Sequence, residues 1–236
     1  MKHILNLLLS LLIVAGAVSA DGRKYVWTYQ YGTTSPDETE LGFYQTAQLA
    51  AVDNWEYRIE IERGLNSSSD LAVYQIFSQT GNGALTWDAF QVRLRHKLAA
   101  EGHWLVDPLL YLEYRRKTDT KGLNKLEGKL VLTREIGRVD ISVNPVYEFF
   151  WEPGGRMHEI GVDAGLSYEL LHHLSVGIES SNRHALSGST SSPDSWYLGP
   201  TVSVTARSIY YTLGYAVGIT KDSDDARVRF LIGIEL

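Results

Sequence analysis

The sequence predicts an all-β fold, a transmembrane antiparallel up-and-down β-barrel of about twelve strands, on three observations. The last eleven residues, Ala226 to Leu236, carry Val228, Phe230, Ile232, Ile234 and Leu236 at strict period two, with Arg227, Arg229, Gly233 and Glu235 between them. Period two sends the two sets to opposite faces of a strand, one apolar and one charged or small. The same alternation recurs back through the chain. Beyond the first twenty residues no apolar run approaches the ~20 residues of a spanning helix, which excludes a helical membrane protein. With 14 Tyr, 6 Trp and a mean hydropathy of -0.15, the composition fits strands rather than membrane helices.

At the N-terminus, Met1-Lys2-His3 is a short basic start, followed by an apolar run from Ile4 to Val14 and the small-residue stretch Ala15 to Ala20. This pattern predicts a secretory signal peptide over residues 1–20, cut before Asp21. Asn6 and Ser10 interrupt the run, which is also too short to span a bilayer. The chain has no cysteine. An exported chain without disulfides must be held by a large hydrogen-bonded sheet. The net charge of -6, with no basic stripe, excludes nucleic acid as a partner.

From Glu38 onward, alternating segments of about ten residues, the length of a tilted membrane strand, are separated by polar turns. In order they run Glu38 to Leu49, Trp55 to Gly64, Asp70 to Gln79, Leu85 to Leu98, Leu105 to Lys117 and Asn124 to Ile136. They continue with Val139 to Trp151, His158 to Leu170, Leu174 to Ser187, Asp194 to Ala206, Ser208 to Thr220 and Ala226 to Leu236. An even count lets the last strand close on the first. Residues 38–236 are therefore expected to form the barrel, with Glu235 near Glu40 at the seam.

Short periplasmic turns and longer outer loops are the rule for such barrels. Starting the first strand from the periplasm puts Leu65 to Ser69, Ala99 to Trp104, Gly137-Arg138, Leu171 to His173 and Arg207 at the lower end. Ala50 to Asn54, Thr80 to Ala84, Thr118 to Leu123, Glu152 to Met157, Gly188 to Pro193 and Lys221 to Asp225 become upper loops, too short for a loop plug or a surface domain.

Residues 21–37 form a lead-in segment. Tyr25 to Tyr31 has strand propensity, yet counting it would give an odd strand. Its three placements are the barrel mouth, the periplasmic rim, or an extra edge pairing, and its aromatic residues suit the membrane interface.

The inward faces carry many charges of both signs. Glu56, Arg58, Glu60 and Glu62 lie on the second strand, Gln91, Arg93, Arg95 and Lys97 on the fourth, and Asp107, Glu113 and Arg115 on the fifth. Lys125, Glu127, Lys129 and Glu135 follow on the sixth, Asp140, Asn144 and Glu148 on the seventh, and Arg227 and Arg229 on the last. On the eighth strand Glu159, Gly161, Asp163, Gly165, Ser167 and Glu169 face in, and Tyr210, Thr212, Gly214, Ala216 and Gly218 do so on the eleventh, as a narrow lumen requires. Charges this dense either cross-link the lumen as paired ladders or line a small aqueous pore. If Arg93, Arg95 and Lys97 are free, they set the ion preference of that pore.

A soluble β-sandwich or lipocalin-like barrel gives similar alternation in shorter strands. Strand length, the aromatic residues near strand ends (Trp55, Trp87, Trp104, Trp151, Trp196) and the period-two C-terminus favour the membrane. For catalysis, Glu179-Ser180-Ser181-Asn182 with His184 faintly resembles the His-x-Ser-Asn-Gly signature of outer-membrane phospholipase A. Glu179 stands where that family has its histidine, and a carboxylate is a poor base for serine at neutral pH. A lipid esterase at Ser181 is thus the weaker alternative, and no enzyme is expected. His172-His173 has no evident third ligand for a metal, and no cofactor is expected.

Several phrases resemble those of uncharacterised Gram-negative outer-membrane barrel proteins of porin-like type. They are Tyr25 to Tyr31, Trp104 to Pro108, Leu126 to Leu130, Tyr197 to Pro200 and the ending Arg227 to Leu236. The resemblance implies the outer membrane of a Gram-negative bacterium, with outer-membrane lipid and the barrel-assembly machinery as partners. Such barrels usually end in an aromatic residue, where this chain has Leu236. The function expected is a narrow charge-lined channel passing a small solute, with a closed structural barrel, sealed by salt bridges and by Tyr25 to Tyr31, as the alternative.

Overall fold

The computed structural model describes residues 22–188 and 194–236. The expected signal peptide and residues 189–193 of the loop expected from Gly188 to Pro193 lie outside them. Twelve strands are formed among the described residues. They are β1 (Thr39–Leu49), β2 (Asn54–Asn66), β3 (Ser69–Thr80), β4 (Thr86–Lys97), β5 (Asp107–Lys117), β6 (Asn124–Ile136), β7 (Val139–Glu152), β8 (Gly155–Leu171), β9 (Leu174–Gly188), β10 (Ser195–Ala206), β11 (Ile209–Gly218) and β12 (Ala226–Glu235). Each pairs antiparallel with its neighbour in sequence, and β1 pairs with β12 from Glu40↔Glu235 to Leu49↔Ala226. Closure satisfies both edge strands, so no row of backbone donors and acceptors is left to lipid.

The period-two pattern explains the two surfaces. Phe43, Ile59, Ile61, Leu112, Leu130, Ile141, Leu166, Ile178 and Leu213 stand exposed on the outside as an apolar belt, while Glu60, Asp70, Arg93, Glu113, Asp140 and Glu179 are buried within. Among the described residues no helix is long and apolar enough to cross a membrane.

Residues 67–68, 137–138, 172–173 and 207–208 make two-residue turns at the end holding both barrel termini, here called lower. Gly137, at φ 61, takes the left-handed conformation such a turn needs. The lower connection at 98–106 is the long exception. At the upper end, pairing of β7 with β8 runs out to Glu152↔Gly155, so the loop expected over Glu152 to Met157 contracts to Pro153-Gly154. A bulge opposite Ile76 and Phe77 adds Asp88 to β4. An extra residue re-aims a side chain, and here the Asp88 carboxylate meets Arg115 and Lys117 inside the lumen.

The segment from Gly22 to Asp37 adds no strand to the wall. It enters the lower end of the lumen beside β2, where Pro36 bridges Gly64. It then turns back at about mid-height around Val26 to Tyr29, forming an internal plug. Of the placements expected for it, the rim and the extra edge pairing are not realised, and the segment goes further than the mouth, continuing through it to about mid-height of the lumen.

Candidate functional site

The plug is held because six of its backbone amides, those of Val26, Trp27, Thr28, Tyr29, Tyr31 and Thr34, find acceptors on inward strand positions. The Glu179 carboxylate of β9 accepts the amides of Val26, Trp27 and Thr28 at 2.7, 2.8 and 2.7 Å. Asn144 of β7 accepts the Tyr29 amide at 2.6 Å and donates back to its carbonyl at 3.0 Å. Thr133 accepts the Tyr31 amide at 2.8 Å and Asp70 that of Thr34 at 3.1 Å. The Tyr25 hydroxyl donates to the Asp140 carboxylate at 2.7 Å. These bonds replace the sheet ladder that the segment lacks.

Shape completes the seat. A Cβ on Gly165 would lie 2.5 Å from the Tyr25 ring, and one on Gly214 only 2.3 Å from Val26. Apolar side chains interrupt the polar inner face where the plug needs cover. Ala72, Tyr74, Ile76, Ala89 and Leu231 gather on Val26 and Trp27, and Leu109, Tyr111 and Val131 on Tyr29 and Tyr31.

Below mid-height Arg93 and Arg95 are paired with carboxylates. Buried Arg93 bonds Glu60 at 3.0 Å and also Glu62, while Arg95 bonds Glu62 at 2.5 Å and Asp70 at 2.6 Å. Lys97 lies 5.3 Å over the Tyr31 ring. The three cations read as a ladder are thus engaged with carboxylates and the plug. Glu40, Glu60 and Glu62 bring carboxylate oxygens within 4.8 Å of one another. Each is bonded within the protein, to Tyr210, to Tyr44 and to Arg95 among others, so the group is a charge network and not a built cation site. At the plug's foot, burial alone would lower the Lys24 pKa, but the Glu135 hydrogen bond and the Asp140 charge outweigh it and raise the ammonium above its ordinary value.

Above mid-height lies a cavity of about 580 Å³, open between the upper loops and floored by Trp27 and Tyr29. A second, of about 260 Å³, sits below, and Tyr29 lines both. The Tyr29 ring is 4.7 Å from that of Tyr111, with the Arg23 guanidinium 4.2 Å over its face. In the upper cavity, Arg58 pairs with Glu56 at 2.7 Å and Arg115 with Glu56 at 3.0 Å. Lys125 bridges Glu113 at 3.2 Å and Glu148 at 3.1 Å and also pairs with Glu127, while Lys129 joins Glu127 at 2.9 Å and Asp163 at 3.1 Å. Arg183 joins Glu148 and Asp163, each at 2.8 Å. Arg227 pairs with Asp224 at 3.4 Å and stacks 3.6 Å from the Tyr197 ring centre. Arg229 donates to the Thr46 hydroxyl and the Val26 carbonyl.

The residues named for a serine site do not converge. Ser181 donates to Asp163 at 2.7 Å, Glu179 is occupied by the plug amides, and exposed His184 pairs with Asp194 at 2.7 Å. Sequence reasoning passed over the plug-anchoring role of Glu179, the bulged Asp88 and the inward apolar residues.

A closed twelve-stranded barrel with an apolar belt and a charged, plugged lumen defines the class: a transmembrane barrel of the type found in the outer membrane of Gram-negative bacteria. No family model and no curated protein matches the chain. Solved structures do. A KdgM porin in complex with disordered oligogalacturonate is 8% identical with a TM-score of 0.59, over 83% of this chain and 97% of that one. The NanC porin is 10% identical with a TM-score of 0.55, over 83% and 98%. The translocator domain of the autotransporter NalP from Neisseria meningitidis is 11% identical with a TM-score of 0.56, over 86% and 90%. The likeness is one of fold, and it bears out the barrel read from the sequence.

Proposed function

We propose that this protein is a porin-like channel for small solutes, closed in this structure by its own residues 22–37, with the lower end in the periplasm. The carrying observation is that the two cavities are separated by the plug, with Tyr29 between them, and not by side chains of the wall alone. A wall cannot move without breaking the sheet, whereas the plug is held by a limited set of side-chain hydrogen bonds. In this reading the charges Glu56, Arg58, Glu113, Arg115, Glu127, Lys129, Glu148, Arg227 and Arg229 line the outer vestibule. Glu60, Arg93, Arg95 and Lys97 hold the lower lumen around the plug. Outer-membrane lipid surrounds the belt, and the barrel-assembly machinery inserts it.

Liposome swelling tests the reading. Vesicles carrying the refolded protein should admit small sugars slowly, and faster when Glu179→Gln loosens the plug. The density of buried ion pairs favours a second reading, a structural barrel without transport. Equal impermeability of both proteins would support that reading and remove the channel.

A further inference from the structure

The upper cavity is lined by eight cations, Arg58, Arg115, Lys117, Lys125, Lys129, Arg183, Arg227 and Arg229, and six carboxylates. All six carboxylates are ion-paired, and among the described residues every one of these cations except Arg229 pairs with a carboxylate. Arg229 is placed by two neutral acceptors, its Nε on the Thr46 hydroxyl at 2.8 Å and one Nη on the Val26 carbonyl at 3.1 Å. Its second Nη carries donors with no partner among the described residues. Thr46 accepts from Arg229, so its own hydroxyl proton is left to donate.

The surroundings add positive charge. On β1, Thr46 stands opposite Arg229 on one side and Glu56 on the other, and Glu56 bonds Arg58 through its Nε, which leaves both Nη groups of Arg58 unused. The Trp27 ring lies 5.9 Å from the Arg229 guanidinium and forms part of the floor. An arginine fork left open beside a second arginine matches an oxyanion, whose oxygens accept charge-assisted hydrogen bonds from both.

We propose that Arg229, with Arg58 and the Thr46 hydroxyl, forms an oxyanion-binding site in the outer vestibule, taking a carboxylate or phosphate group carried by a small solute. This deepens the channel reading, resting on it only in that the upper cavity must admit solute from outside.

The test is equilibrium titration of the refolded whole protein in detergent with D-glucuronate, inorganic phosphate and, as the neutral counterpart of the first, D-glucose. Saturable binding of glucuronate, phosphate or both, without binding of glucose, is expected, and the anion that binds identifies the group. Arg229→Gln should weaken it about tenfold or more, as loss of a charged hydrogen-bonding partner does. Because Arg229 also touches the plug, Thr46→Asp is the second variant. It keeps the arginine but supplies an internal carboxylate, and should abolish binding where Thr46→Ser leaves it unchanged. Binding of glucose equal to that of glucuronate, no anion binding at all, or anion binding indifferent to both Arg229→Gln and Thr46→Asp would overturn the site. Binding is read without current, so a protein that binds but never conducts removes the channel and keeps the site. One that conducts without anion binding does the reverse.

Discussion

Glu179 on β9 and Val26 of the N-terminal segment, 153 positions apart in the chain, meet in a 2.7 Å hydrogen bond across the lumen, and the same carboxylate also takes the next two amides. A single side chain thus holds the turn of the plug.

Replacing it should free that turn. A hydrogen bond contributes about 0.5–1.5 kcal/mol net, and a buried amide left without an acceptor costs about 1–3 kcal/mol. Glu179→Gln keeps the shape but presents an NH2 to amides that need an acceptor. The prediction is faster tryptic cleavage after Arg23 and Lys24 with the barrel intact, read by mass spectrometry. Cleavage at the wild-type rate would mean the other anchors suffice.

Gly214→Val tests the seat rather than the bonds. Because a Cβ there already falls 2.3 Å from Val26 and 3.0 Å from Trp27, the plug must shift while the outward face of β11 is untouched. Heat-modifiable migration of the folded barrel should survive, with protection of Arg23 and Lys24 lost. If protection survives too, the segment has somewhere else to sit.

The barrel was legible because the bilayer imposes period two on every strand, and strand bounds read from alternation fall within a few residues of those observed. The plug was only half legible. Its aromatic run was visible, but a segment bonded through side chains has no periodicity to reveal its partner. Ile76, Leu109, Val131 and Leu231 were the available signal, since apolar residues on the inner face of a water-filled pore are out of place. Asp88 was hidden by the bulge, which breaks the parity that assigns faces. Ion pairing among inward charges cannot be read from one sequence, because it depends on which rows the closure brings together.

The Arg93 network should tolerate loss poorly. Removing one partner of a buried ion pair costs about 3–5 kcal/mol, because the other charge is left uncompensated. Arg93→Met leaves Glu60 and Glu62 without it, so urea-induced unfolding in detergent should shift to lower urea. Restoring the midpoint by adding Glu60→Gln and Glu62→Gln would locate the cost in the orphaned carboxylates, whereas an unchanged midpoint in the single variant would mean water already screens them.

Tyr29 gives a pH signature. Burial pushes its phenol pKa up, but the charges of Arg23, Arg93 and Lys129 outweigh it and bring it down to about 8. A released Tyr29 titrates near its ordinary ~10. The lowered value means the docked state gains stability as pH rises from about 8 to ~10, and this gain is lost as pH falls back through 8. Tyrosinate absorbance, taken as wild type minus Tyr29→Phe, should appear near pH 8 and move upward in Arg23→Gln. A midpoint near 10 in both would place Tyr29 outside that cationic field.

Single-channel recording in planar bilayers, comparing wild type with Glu179→Gln combined with Asn144→Ala, tests closure by the plug most directly. The two substitutions release the turn at Val26 to Tyr29 and leave all twelve strands in place. Rare, brief openings in the wild type and long-lived openings of larger conductance in the variant are the predicted result. Identical currents in the two proteins, whether open or silent, would contradict it.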